Sequence, residues 1–153
     1  MLTSVPVFPC SMASTIHVPA DQATIQAGIN AASNGDKVLA APGTYTENIN
    51  FMGKAITVMS CGGPKVTIID GNADAPVAAF VTGNGATSVL NRFTLQNGYA
   101  SFQFQYMGGG VSIDKASPSI KQNVIINNNG YGDGGGNGLN TIPKNFPTPV
   151  RYR

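Results

Sequence analysis

The stretch Ala55-Ile-Thr-Val-Met-Ser-Cys-Gly-Gly-Pro-Lys-Val-Thr-Ile-Ile-Asp-Gly71 holds two short β-branched runs on either side of a Gly-Gly-Pro turn. Each run alternates apolar and polar residues or is wholly apolar, and each stops at turn residues, the pattern of short strands. Similar strand-plus-turn units flank it, at Val38 to Phe51 and at Val77 to Asn127. A unit of this size cannot bury its own apolar face, so the units have to stack. The expected fold is an all-β solenoid.

Size and composition agree with that expectation. A chain of 153 residues suits one domain with a sizeable core. Charged residues make up only 10%, with 19 Gly and 10 Pro, a profile of turn-rich β-structure. The hydrophobic content of 42% is too high and too regularly spaced for a disordered chain. The net charge of +2 is scattered except at Arg151-Tyr-Arg153, which leaves nucleic-acid binding unsupported. No apolar run approaches the roughly 20 residues that span a bilayer, so membrane insertion is not expected.

Residues 1–14 read as a leader-like segment: Leu2 to Met12 is weakly apolar and Ser11-Met-Ala13 resembles a small-residue cleavage site. A positive n-region is missing and Pro6 and Pro9 interrupt the apolar run, so a leader remnant fits better than an intact signal peptide. Cys10 and Cys61 have no CxxC or His-rich neighbourhood for zinc and are expected to be unpaired thiols. A bridge between them would need an oxidising compartment.

Thr15 to Val18 reads as a short strand before Pro19. Asp21 is placed to cap a helix running to about Ser33, with Ile25, Gly28, Ile29 and Ala32 as its apolar stripe and Asn34-Gly35 as its stop. Such a helix would lid the N-terminal end of the stack. Further on, Leu90 to Asn97 superposes on Ile120 to Asn127, with Leu95 on Ile125 and Asn97 on Asn127, around an inserted loop at Gly98 to Gly108. Asn97, Asn123, Asn127, Asn128 and Asn129 fall where strands turn. There they suit a left-handed backbone and a ladder of bonds between coils, with sugar or ion binding as the other use.

Several short stretches, in order, now resemble a known family. They are Ile16-His-Val-Pro-Ala-Asp21, Thr24-Ile-Gln-Ala-Gly-Ile29, Gly35-Asp-Lys-Val38, Ala41-Pro-Gly-Thr-Tyr-Thr-Glu-Asn-Ile49, Val66-Thr-Ile-Ile-Asp-Gly71 and Ser119-Ile-Lys-Gln-Asn123. Together residues 15–130 resemble the cap and first coils of the pectin-lyase-like superfamily, specifically its secreted bacterial β-helix repeat proteins. The resemblance implies a short right-handed parallel β-helix of roughly four coils, spanning residues 15–138 with a cap helix at about 21–33, and a secreted or cell-surface setting. It identifies architecture rather than chemistry.

Gly130 to Gly138 and the Pro-rich tail at 139–153 depart from the coil pattern, so the chain reads as part of a larger protein. An open last coil invites end-to-end pairing, and the expected partner is a second copy of the chain in a homo-oligomer, where that subunit, or the C-terminal tail, covers the C-terminal end of the β-helix.

Enzymes of that superfamily carry their chemistry on outward polar side chains beside long loops, which here implies Asp70, Arg92, Asp114 and Lys115 as catalytic candidates, with Gln96 and Lys121 nearby. Ordinary solvated positions are the simpler reading of all six. No cofactor is expected, Ca²⁺ being the one ion the resemblance admits. Tyr99, Phe102, Phe104 and Tyr106 form an aromatic, charge-free insert that could stack on sugar rings or bury itself against a partner subunit, the second being preferred. His17, near Ser11, Ser14 and Asp21, lacks the nucleophile elbow of a serine hydrolase. Asp133 in its Gly-rich run is a single, weak likeness to calcium-binding repeats. The leading expectation is a non-catalytic extracellular module, structural or carbohydrate-binding; the alternative is a polysaccharide lyase or esterase acting on acidic polysaccharide.

Overall fold

The computed structural model describes residues 12–100 and 108–130. Strands β1 (Thr15–Val18), β2 (Lys37–Ala40), β5 (Thr57–Ser60), β8 (Val89–Asn91) and β11 (Ser119–Lys121) form a first parallel sheet in that order. A second holds β3 (Gly43–Thr46), β6 (Thr67–Asp70), β9 (Thr94–Gln96) and β12 (Val124–Ile126), and a third β4 (Ile49–Asn50), β7 (Ala78–Phe80) and β10 (Val111–Ile113). The chain visits first, second and third sheets in turn and then begins again one level further on. The result is a mostly-β, parallel, solenoid-like fold with one helix among the described residues.

The stretch around Gly62-Gly63-Pro64 is therefore a corner and not a hairpin. Strands β5 and β6 on either side of it belong to different sheets, and each pairs with strands one level above and below. Gly63 takes a left-handed φ of 86° that a side chain would strain. Its N–H donates to Ser60 Oγ at 2.7 Å, and Ser60 Oγ lies 2.9 Å from Thr67 Oγ1, so both buried hydroxyls are satisfied.

Like packs on like inside. Val38, Val58 and Leu90 stack in register in the first sheet, and Ile69 and Leu95 in the second, all fully buried. From the third, the rings of Phe51 and Phe80 lie 4.3 Å apart at an interplanar angle of 31°. Each such side chain contributes about 1.5–3 kcal/mol by leaving water. The superposition of Leu95 on Ile125 is the observed register of β9 and β12.

Helix α1 (Ile25–Ala31) lies against β1, β2 and β4, with Ile25, Gly28 and Ile29 buried as the apolar stripe predicts. Its cap differs from the expectation: Thr24, not Asp21, is the N-cap, and its side chain accepts from the Ala27 N–H. The Asp21 carboxylate instead turns back to accept from the His17 N–H at 2.7 Å and meets the same ring at Nδ1, 3.1 Å away, so the helix starts later. Both ends of α1 are held from the next level. Glu47 accepts from the Ile25 and Gln26 N–H groups at 2.9 and 2.8 Å. Lys54 Nζ donates to the carbonyls of Ile29, Asn30 and Ala32, each at 2.8 Å. An anion at the N-terminus and a cation at the C-terminus both complement the helix dipole. Gln26 completes the lid by bonding both backbone groups of Asn50, as a neighbouring strand would.

Candidate functional site

Along the outside of the second sheet, Thr46, Asp70 and Gln96 occupy one register column. Beyond it the chain bends sharply towards the third sheet. At this bend Asn72, Asn97 and Asn127 carry φ of 51°, 54° and 53°, left-handed values that Asn tolerates better than other side chains. Tyr99 and Asn129 follow, paired by an isolated parallel bridge. The interior of the bend is too tight for side chains: a Cβ on Gly98 would collide with the backbone of Gly109. Buried Asn128 staples it instead, accepting from the Gly98 N–H at 2.7 Å and donating to the Leu95 carbonyl at 2.9 Å. Asn123 does the same one corner earlier, bonding the Phe93 N–H and the Leu90 carbonyl.

This arrangement leaves an open groove of about 640 Å³ on the outer surface. Thr46 contributes from one level, Asp70 and Asn72 from the next, Asn97 and Tyr99 from the third, and Asn127 and Asn129 from the last. Asp70 is its organising group. One carboxylate oxygen accepts from Gln96 Nε2 at 2.9 Å and from Asn97 Nδ2 at 2.8 Å, and the other from the Asn72 N–H at 2.9 Å. The Gln96 bond, with those from Asn72 and Asn97, holds the Asp70 carboxyl below its ordinary range against the opposing effect of partial burial. It is an ionised acceptor here, and a poor general acid or base near neutrality.

The structure thus brings Asp70, Gln96 and Tyr99 to one place. The other catalytic candidates lie at other bends. Arg92 sits in the turn between β8 and β9 with φ 67°, its guanidinium over Gly63, and its N–H donates to the Lys121 carbonyl. Asp114 and Lys115 are exposed in the turn that leaves β10, and Lys121 is exposed at the end of β11. His17 and Asp21 form a local, exposed pair, while Ser14 uses its N–H on Asp36. Cys61 is an exposed free thiol. Phe102, Phe104, Tyr106, Cys10, Ser11 and Asp133 lie outside the described residues. Among the described residues no group of three or more His, Cys, Asp or Glu side chains could hold a metal ion, and no helix is long and apolar enough to cross a membrane.

The sequence points Asn97, Asn127 and Asn129 chiefly to turn chemistry and does not single out Thr46 or Asn72. The available signal was the register: Asn97 and Asn127 recur one level apart beside Asp70 and Gln96, which are themselves partners. No protein-family model, curated protein or solved structure matches the chain.

Proposed function

We propose that this chain is a right-handed parallel β-helix module of the pectin-lyase-like kind that binds carbohydrate outside the cell without turning it over. Handedness follows from the strong preference of crossovers between parallel strands for the right-handed path. The observation that carries the function is the groove itself, where amide side chains and a hydroxyl surround one tyrosine across successive levels. Amides bond sugar hydroxyls as donor and acceptor, and an aromatic ring takes the C–H face of a pyranose.

A lyase or esterase would need an acid, a base and a cation for the substrate anion within reach of one another. In the groove Asp70 has no Lys or Arg beside it among the described residues, which is why binding without turnover is preferred. The test is calorimetric titration with a panel of oligosaccharides, run beside an assay for released product. Binding without product, weakened at least tenfold by Tyr99→Ala at unchanged melting temperature, is the expected result. Product release that is abolished by Asp70→Asn would sink the non-catalytic reading.

A further inference from the structure

The charge in the groove says which glycans fit, an inference that rests on the carbohydrate-binding reading and goes one step further. Asp70 is the one Asp, Glu, Lys, Arg or His among the lining residues. Three protein donors orient its carboxylate, and the oxygen facing the Asn72 N–H, which has one such partner, keeps a lone pair for a further donor. A sugar hydroxyl can donate to that lone pair. A uronate carboxylate cannot, and would bring a second negative charge beside the first with no cation among the described lining residues to offset it.

The remaining lining groups have no charge preference. Among the described residues the side chains of Asn72, Asn127 and Asn129 make no hydrogen bond within the protein, although the bonds of Asn97 and Asn128 show amides at these bends to be readily used. The groove crosses successive levels, a span of roughly 15 Å at the spacing of neighbouring strands. That length suits a short oligosaccharide lying along the stack, one sugar after another, better than a single sugar.

The geometry points to an uncharged glycan as the ligand, lying along the stack with a hydroxyl on Asp70, and to exclusion of polyuronates by that same carboxylate. The experiment compares the intact protein's affinity for neutral oligosaccharides, galactan fragments among them, with that for oligogalacturonate of matching length at low salt. A neutral oligomer is expected to bind at least tenfold tighter than the uronate. Asp70→Asn should close most of that gap by strengthening uronate binding, and added salt should narrow it in the unaltered protein, a readout that stands even if the variant folds poorly. Uronate binding equal to or tighter than neutral binding overturns this inference while leaving carbohydrate binding in place. Failure of every oligomer to bind overturns both.

Discussion

The lidded end of the stack and the grooved corner both draw on amide and carboxylate side chains, yet they use them in opposite ways. At the lid, Gln26, Glu47 and Lys54 spend their side-chain polar groups on backbone partners. At the corner, Asn128 bonds two backbone groups and Asp70 accepts from three donors with one lone pair left over, while Asn72, Asn127 and Asn129 turn side chains outward with no bond among the described residues. Residue type does not separate structure from recognition in such a chain. What separates them is whether the hydrogen-bonding capacity is used up within the fold.

That contrast can be tested from both sides. The largest effect should come from the lid's apolar stripe: Ile29→Ala, at a fully buried site, is expected to cost about 2–5 kcal/mol in denaturant unfolding. It should leave affinity of the remaining folded protein unchanged, and a loss of affinity there would mean the two regions are coupled. Next comes a pair of neighbours at the corner. Asn128→Ala removes the bonds to the buried Gly98 N–H and to the Leu95 carbonyl and should cost about 1–3 kcal/mol. Asn127→Gly, at a left-handed position that glycine takes freely, should leave stability nearly unchanged while weakening glycan binding. The reverse ranking would sink the distinction between used and unused amides.

The smallest effect is with pH. Asp36 is held below the ordinary carboxyl value of 3.8 chiefly by the Ser14 N–H and then by the Ser33 N–H, and Asp70 by Gln96 first. A carboxyl whose folded value is lowered contributes fully above its unfolded value, about 3.9, and the contribution is lost as pH falls through the folded value. Stability measured by urea titration should therefore be flat near neutrality and decline below about pH 4. Asp36→Asn should flatten that acid limb, and an unchanged limb would show that the loss arises elsewhere.

Sequence made the stacking plain because local pattern determines it. Ile25, Gly28 and Ile29 fall on one helical face wherever the helix begins, and the likeness of Leu90–Asn97 to Ile120–Asn127 is a register written directly in the chain. The start of α1 was less accessible, since Asp21 and Thr24 are both good caps and only the turn back to His17 decides between them. The groove was legible only in pieces. Thr46, Asp70, Asn97 and Asn127 are far apart along the chain and meet only through the angle of each bend, which no local pattern records. Glu47 and Lys54 escaped notice for the same reason: each serves a helix more than one element away.

The bends also differ in length far more than the strands do, which run from two to four residues. In the first sheet Lys37 pairs with Thr57, but Thr57 pairs with Val89, so extra residues enter between levels without disturbing side-chain register within the sheet. Lengthening a loop is cheap, each doubling adding only about 0.6 kcal/mol of closure entropy. A fold of this kind separates frame from surface: the strands are a fixed rack, and the outer surface can be rewritten by insertion at the corners, one shelf at a time.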